Sequence, residues 1–158
     1  MTLDAIIDKH SILANLKSQN KKQLLQELSQ ALANRLAIDH RVIFETLLKR
    51  EKLGSTGIGQ GIAIPHGKMA ALGRVHGLFA RLAAPIEFDA IDGQPVDLVF
   101  VLLAPEHAGA DHLKALAKIS RILRDPAVVT KLRGTDDAEG LYAILTEPAA
   151  TSAKASAA

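Results

Sequence analysis

Residues 50–68 read Arg50-Glu51-Lys52-Leu53-Gly54-Ser55-Thr56-Gly57-Ile58-Gly59-Gln60-Gly61-Ile62-Ala63-Ile64-Pro65-His66-Gly67-Lys68. Four glycines and two hydroxyl side chains precede a short apolar segment that ends at one histidine, His66. Glycine lets backbone N–H groups approach an anion closely, because it has no Cβ and adopts positive φ freely. Pro65 fixes its own φ and favours an extended Ile64, so the chain that presents His66 is expected to be stiff. A stiffly held imidazole beside amides and hydroxyls suits a nucleophile that carries a phosphoryl group.

The segments before this stretch predict one strand and two helices. Residues 12–16 have the composition of a short strand, and leucines recur at helical spacing from Asn20 to Leu36. A second helix is predicted to begin at Asp39 and to stop near Gly54. Its inward-facing residues are expected to be Val42, Ile43, Leu47 and Leu48.

The segments after the glycines predict strands followed by helices. Strands are expected over 62–64, 75–83 and 86–88, the last of them at an edge of the sheet. Residues 96–103 are continuously apolar, which is the pattern of a strand buried on both faces.

Three helices are predicted in the C-terminal part. The first begins at Asp111, a short second helix ends at Gly134, and a third is capped by Thr135 and runs to about Leu145. The apolar positions of the first of these helices are Leu113, Leu116, Ile119, Ile122 and Leu123.

Helices placed before, between and after the strands indicate an α/β fold, with a central mixed β-sheet flanked by helices in layers. The length favours one domain, which we expect over residues 1–147. Residues 148–158 consist mainly of Ala, Ser and Thr, and this composition predicts a disordered tail.

The composition excludes several classes of function. The net charge of +2 comes from interspersed signs, without a basic run or an aromatic platform for nucleic acid. The chain has no cysteine, which rules out disulfides and thiolate chemistry and fits a reducing compartment. The N-terminus shows no export signal, and the longest apolar run, 98–104, is too short to span a membrane. We therefore expect a cytoplasmic protein that neither inserts into the membrane nor binds nucleic acid.

Two familiar phosphate-binding loops do not fit the glycine-rich stretch. Residues 57–61 lack the third glycine of the dinucleotide fingerprint, and they follow a helix and precede a strand, the reverse of the Rossmann order. Gly67-Lys68 is like the end of a P-loop, but Met69 replaces the hydroxyl residue that would bind magnesium. No nucleotide is therefore expected. From spacing alone, a glycine-rich connector with a structural histidine stays open as the alternative.

Residues 55–66 are similar to the signature of the fructose/mannitol-type EIIA domain of the bacterial phosphoenolpyruvate phosphotransferase system. The resemblance runs from about residue 3 to residue 145. Within that family the chain is most like the nitrogen-regulatory branch, through residues 48–59, 88–100 and 108–116. The resemblance implies a phosphotransferase that acts as a regulatory phosphocarrier and needs no cofactor.

The resemblance also implies roles for two histidines. His66 would be phosphorylated through its Nε2 by an HPr-like phosphocarrier, and His112 would be the second histidine that lies beside it. A neutral imidazole is the nucleophilic form, and histidine is mostly neutral at cytoplasmic pH. The alternatives are a satisfied strand-end histidine for His66 and a capping histidine for His112. Ile58, Ile62 and Met69 are expected to form the apolar docking face.

The residues around Arg50 are candidates for binding the phosphoryl oxygens. The guanidinium of Arg50 is planar and permanently charged, so it suits a fork of donors. Ser55 and Thr56 offer hydroxyls, and the amides that follow, including that of Gly57, could form the cradle. The alternatives are a solvated last-turn arginine and local capping of the loop by the two hydroxyls.

Three other functions are alternatives to phosphotransfer regulation. Glu106, His107, Asp111 and His112 could belong to a metal-dependent hydrolase, but their spacing matches no metal motif, so no metal is expected. Sugar uptake, with transfer to an EIIB component, would use the same chemistry. A non-catalytic interaction module with an inactive site is the third possibility.

Overall fold

A mixed β-sheet of six strands forms the centre of the protein in the computed structural model, which describes residues 2–147. The strands are β1 (Ile12–Leu16), β2 (Gly57–Gly59), β3 (Ile62–Ala63), β4 (His66–Met69), β5 (His76–Ile86) and β6 (Val96–Pro105). The helices are α1 (Lys21–Leu36), α2 (His40–Lys52), α3 (Ala110–Leu123), α4 (Pro126–Arg133) and α5 (Ala138–Thr146), after a short 3-10 helix at Leu3–Ala5. The predicted α/β architecture is confirmed. The predicted disordered tail, 148–158, lies outside the described residues.

The central strand β6 decides where the site is formed. One of its edges pairs with β5 in antiparallel fashion, and β1 lies parallel beyond β5. Its other edge pairs in parallel first with β3, at Ile62 opposite Leu98, and then with β4, at His66 opposite Leu102. β3 and β4 therefore follow each other along one edge, joined by a two-residue link. This link delivers His66 at the first position of β4.

The two faces of the sheet are covered by different helices. Leu28 of α1 and Leu47 of α2 pack in one apolar cluster with Val101. The opposite face carries α3, α4 and α5, and Ile119 lies there in a second cluster with Phe100. Because adjacent residues of β6 alternate between these clusters, the strand is buried on both sides, as its continuous apolar run predicts.

The predicted helix starts depend on side-chain caps that the structure contains. Asn20 accepts a hydrogen bond from the backbone N–H of Gln23 at the start of α1. Asp39 accepts one from the N–H of Arg41 at the start of α2. Both helices, and the strand over 12–16, are confirmed.

The strand predictions needed three corrections. Residues 66–69, for which the sequence predicts no strand, form β4 through parallel pairing with β6. The segment 57–59 is a strand, β2, that forms a hairpin with β3, and its glycine content hid it because glycine is depleted in strands. Gln60 and Gly61 form the turn, both with positive φ. The separate edge strand predicted over 86–88 was wrong: the chain continues β5 to Ile86 across an irregularity in register.

Three predictions about the helices, two on burial and one on a cap, also differ from the structure. Val42 is 48% exposed and Leu113 is 68% exposed, so neither is a core residue. Thr135 does not cap α5, because its hydroxyl donates to the carbonyl of Lys131 at the end of α4. The cap is Asp137, whose carboxylate accepts from the N–H of the residue three positions later at 2.8 Å. A carboxylate is the stronger acceptor at the positive end of a helix.

Candidate active site

His66 is held with its Nε2 free of a proton. Its Nδ1 lies 2.8 Å from the carbonyl oxygen of Ile64, and a carbonyl can only accept, so Nδ1 carries the ring proton. The Nε of Arg50 donates to Nε2 at 3.3 Å, which requires a lone pair on that nitrogen. The two contacts define the same tautomer. The half-buried ring therefore presents Nε2 as its nucleophilic atom.

Arg50 occupies the last turn of α2, alongside the start of β4. Its Nη1 donates to the carbonyl oxygen of Gly54 at 2.9 Å, and its Nε faces His66. The guanidinium is thus fixed by the loop that follows the helix. A planar cation held beside Nε2 of His66 is suited to bind the oxygens of an incoming phosphoryl group.

His112 lies next to His66, as the resemblance implies. It is the third residue of α3 and is only 6% exposed. The two ring centroids are 5.6 Å apart, with the rings inclined at 64°. Within residues 2–147, the buried Nε2 of His112 has no hydrogen-bond partner. A buried polar atom without a partner is destabilising, so a ligand oxygen at this position would satisfy it.

The surroundings of His66 and His112 favour the neutral form of both rings. Burial lowers the pKa of His66, and the Arg50 guanidinium lowers it further against the opposing effects of the Ile64 carbonyl and the Glu51 carboxylate. Burial also lowers the pKa of His112, with smaller contributions from His66 and Lys68. The neutral imidazole, which is the form able to attack phosphorus, is therefore favoured at neutral pH.

The loop residues predicted to bind phosphate make hydrogen bonds within the protein. The hydroxyl of Ser55 donates to the carbonyl oxygen of Phe88 at 2.9 Å, and the N–H of Gly57 donates to Ser55 Oγ at 3.0 Å. The hydroxyl and the backbone N–H of Thr56 both donate to the carboxylate of Glu51, and the N–H bond is 3.1 Å long. Contact of Ser55, Thr56 or Gly57 with a phosphoryl group stays a prediction, and it would require these bonds to be exchanged.

The family model described as "Phosphoenolpyruvate-dependent sugar phosphotransferase system, EIIA 2" matches residues 5–147. The chain belongs to this EIIA family. It is 54% identical over 153 residues to the nitrogen regulatory protein of Bradyrhizobium diazoefficiens, covering 97% of this chain and 100% of that protein. The crystal structure of nitrogen regulatory protein IIA-Ntr from Neisseria meningitidis has a TM-score of 0.87 at 40% identity, over 91% of this chain and 99% of that one.

A more distant EIIA structure shares the fold. The mannitol enzyme IIA of Escherichia coli, solved in complex with its phosphorylated enzyme IIB, has a TM-score of 0.75 at 18% identity, over 90% of this chain and 98% of that one. EIIA domains of the phosphotransferase system receive phosphate from phosphocarriers and pass it on. The predicted membership, and the likeness to the nitrogen-regulatory branch, are confirmed.

The sequence does not predict the ion pair between Lys21 and the buried Glu51, which lies next to Arg50 in the chain. Glu51 is buried, and Lys21 at the start of α1 lies 3.0 Å from its carboxylate. In the sequence both look like ordinary charged helix residues, and they are far apart in the chain. Only the packing of α1 against α2 brings them together, so no local signal was available.

The predicted apolar docking face was partly wrong. Ile62 and Met69 are 2% and 4% exposed and belong to the core, because they lie on the buried sides of β3 and β4. Ile58 is half-buried. Within the described part of the chain, the large aliphatic residues that are exposed lie elsewhere: they are Val42, Leu53, Ile91 and Leu113.

The residues weighed as metal ligands do not gather into a site. Glu106, His107 and Asp111 are exposed on the loop before α3 and on its first turn. Across residues 2–147, no three His, Asp or Glu side chains are placed so that they could share a metal ion. None of the helices in this range combines the length and the apolar run needed to cross a bilayer.

Proposed function

We propose that this EIIA protein is a cytoplasmic phosphocarrier that accepts a phosphoryl group on Nε2 of His66 and acts in nitrogen regulation. The donor would be an HPr-like phosphocarrier. The observation that carries the proposal is the pair of contacts on one ring, in which the Ile64 carbonyl oxygen accepts a hydrogen bond from Nδ1–H and Arg50 Nε donates to the unprotonated Nε2. The relatives named as nitrogen regulatory proteins favour regulation over sugar uptake.

The geometry supports a balanced transfer between two imidazoles. The Nε2 lone pair of His66 forms a bond to phosphorus while the N–P bond of the donor breaks, and its electron pair returns to the donor's ring nitrogen. The ring of His66 becomes positive as its bond forms, and the carbonyl of Ile64, already bonded to Nδ1–H, stabilises that charge. The transfer requires no proton to leave or enter the ring of His66.

Two groups next to His66 are suited to bind the transferred phosphoryl group. The transition state is loose and carries its charge on the equatorial oxygens, so fixed donors at those oxygens are the main source of catalysis. Arg50 supplies N–H groups on one side. His112, whose ring lies 5.6 Å from that of His66, would be a donor through its unpartnered Nε2 in the tautomer that carries the proton there.

Exposed leucines border the elements that form the site. Leu53 is 82% exposed and immediately precedes Gly54, whose carbonyl holds Arg50. Leu113 immediately follows His112. We expect a protein that brings its own histidine to His66 to contact Leu53 and Leu113. Burial of the two leucines would contribute about 3 to 6 kcal/mol of hydrophobic free energy at most.

Intact-mass measurement tests the proposal. With phosphoenolpyruvate, the first enzyme of the system and an HPr-like donor, the wild type should gain about 80 Da, one phosphoryl group. His66→Ala should gain nothing. His76→Ala, which changes a half-buried histidine at the start of β5, across β6 from β4, should gain one group as the wild type does. A wild type that gains no mass would instead support the non-catalytic interaction module.

A further inference from the structure

Glu51 is a buried carboxylate in an unfavourable place. It lies in the last turn of α2, where the helix dipole disfavours negative charge, and burial adds a desolvation cost. The carboxylate is stabilised by three donors, which are Lys21 Nζ and the N–H and hydroxyl of Thr56. It thereby joins the start of α1, the end of α2 and the loop that follows.

The hydrogen bonds continue from Thr56 to the nucleophile. The carbonyl oxygen of Thr56 accepts the N–H of Ile64 at 3.0 Å. The carbonyl oxygen of Ile64 accepts Nδ1–H of His66 at 2.8 Å. Thr56 is therefore bound on one side to Glu51 and on the other to the residue that sets the tautomer of His66. Lys21 and Glu51 stand at the far end of one continuous chain of bonds.

We propose that Lys21 and Glu51 are positioning residues for phosphoryl transfer, acting through Thr56 and Ile64 on His66. The ion pair holds Thr56, and the carbonyl oxygen of Thr56 fixes the backbone of Ile64 by accepting its N–H. The carbonyl oxygen of Ile64 in turn keeps the ring proton on Nδ1 of His66, so that Nε2 stays free. Which nitrogen of a histidine carries the proton is set by the hydrogen bond of the other nitrogen. The inference rests on the proposed function but concerns groups that do not touch the phosphoryl group.

Lys21 also ties this chain of bonds to the loop beside β2. Its ammonium lies 4.5 Å from the ring centroid of Phe88 and 3.8 Å from the carboxylate of Asp89. Phe88 in turn accepts the Ser55 hydroxyl through its carbonyl oxygen. The loop 53–56 is thus fixed by Glu51 through Thr56 and by Phe88 through Ser55, so both of its hydroxyls bond within the protein.

The test combines transfer kinetics with the tautomer of His66, read from the ring ¹⁵N shifts of the unphosphorylated protein. Glu51→Gln and Thr56→Val should lower kcat roughly tenfold or more, because small misplacements at a reacting centre have large effects. The KM for the donor protein should stay within about twofold of the wild-type value. Both should show a mixed tautomer. Thr56→Ser, which keeps the hydroxyl, should restore both readouts. All variants should still reach one phosphoryl group per chain at long times.

A remote ion pair provides the control. Asp8 pairs with Arg35 at 2.8 Å, so Asp8→Asn removes a comparable contact outside this chain of bonds and should change neither kcat nor the tautomer. Folded Glu51→Gln and Thr56→Val proteins with wild-type kcat and a pure Nδ1–H ring would overturn the inference. If Glu51→Gln does not fold, Lys21→Met and Thr56→Val decide. A wild type that takes no phosphate removes the proposed function, and the tautomer comparison still decides whether the pair positions His66.

Discussion

A Cβ added to Gly67 would lie 2.6 Å from Cγ2 of Thr46, closer than real side-chain contacts allow. Helix α2 therefore packs directly on the backbone of β4. Arg50 follows Thr46 by one helical turn on the same face of α2, and His66 precedes Gly67 in β4. The missing side chain is what lets the guanidinium of Arg50 reach the imidazole.

Gly67→Ala should move α2 away from β4. We expect a loss of stability of about 1 to 3 kcal/mol, as for other overpacked sites, and a fall in transfer rate of roughly tenfold because Arg50 is displaced. Urea denaturation and quenched-flow phosphorylation measure the two effects. Thr46→Ser in the same chain removes the clashing methyl, keeps the hydroxyl that bonds to the Val42 carbonyl, and should restore both.

Gly73→Ala is the matched control, since an added Cβ there meets nothing within 4 Å. It should behave as the wild type in both measurements. A Gly67→Ala protein with the wild-type rate would show that close packing of α2 on β4 is not needed to place Arg50.

Arg50→Ala should slow phosphorylation by roughly a hundredfold without unfolding the protein, because it removes a charged donor from the transition state but no core side chain. Arg50→Lys should recover only part of the rate, since an ammonium lacks the planar fork. Lys49→Ala changes the exposed neighbour in the same helix and is expected to leave the rate unchanged. An Arg50→Ala rate equal to the wild-type rate would remove Arg50 from the site.

Leu53→Ser and Leu113→Ser should raise KM for the donor protein several-fold with little change in kcat, because they remove apolar contact with the partner and leave His66 intact. Val42→Ser alters another exposed aliphatic residue, on α2 away from its last turn, and serves as the control. Steady-state kinetics against donor concentration gives the comparison. Equal KM values for all three variants would place the docking surface elsewhere.

Some of the helices and strands could be predicted from local sequence patterns alone. The leucines of α1, the caps Asn20 and Asp39 and the apolar run of β6 each carry their own signal. His66 could be singled out from the residues around it, but its proximity to His112 could be anticipated only through the family resemblance, because the sheet and α3 bring the two together from distant parts of the chain.

The remaining features depend on tertiary contacts that leave no local trace. β2 is rich in glycine and forms only because β3 pairs with it. The burial of Glu51 follows from the approach of Lys21 in another helix. Leu113 is exposed because it lies on the side of α3 that the sheet does not cover. Helical spacing alone does not show which of two neighbouring helix faces will be buried.

Acid should destabilise the protein through its histidines. Burial lowers the pKa of His66, His76 and His112 below 6.5, so between the folded pKa values and 6.5 the unfolded chain binds more protons than the folded one. The contribution is fully present above pH 6.5 and is lost as the pH falls toward the folded values. Urea midpoints should therefore decrease between about pH 7.5 and about pH 5.5.

The imidazole signal of His66 in NMR provides the site-specific check. Its titration midpoint in the folded protein should lie below the midpoint of the same residue in the urea-unfolded chain. A folded midpoint at or above the unfolded one would contradict the view that burial and Arg50 keep this ring neutral.

The most direct test is ³¹P and ¹⁵N NMR of the phosphorylated wild-type protein, because it identifies the atom that carries the phosphoryl group. The free Nε2 and the proton held on Nδ1 by Ile64 predict a single phosphohistidine, phosphorylated on Nε2 of His66. A phosphoryl group on Nδ1 of His66, or on any other residue, would contradict this.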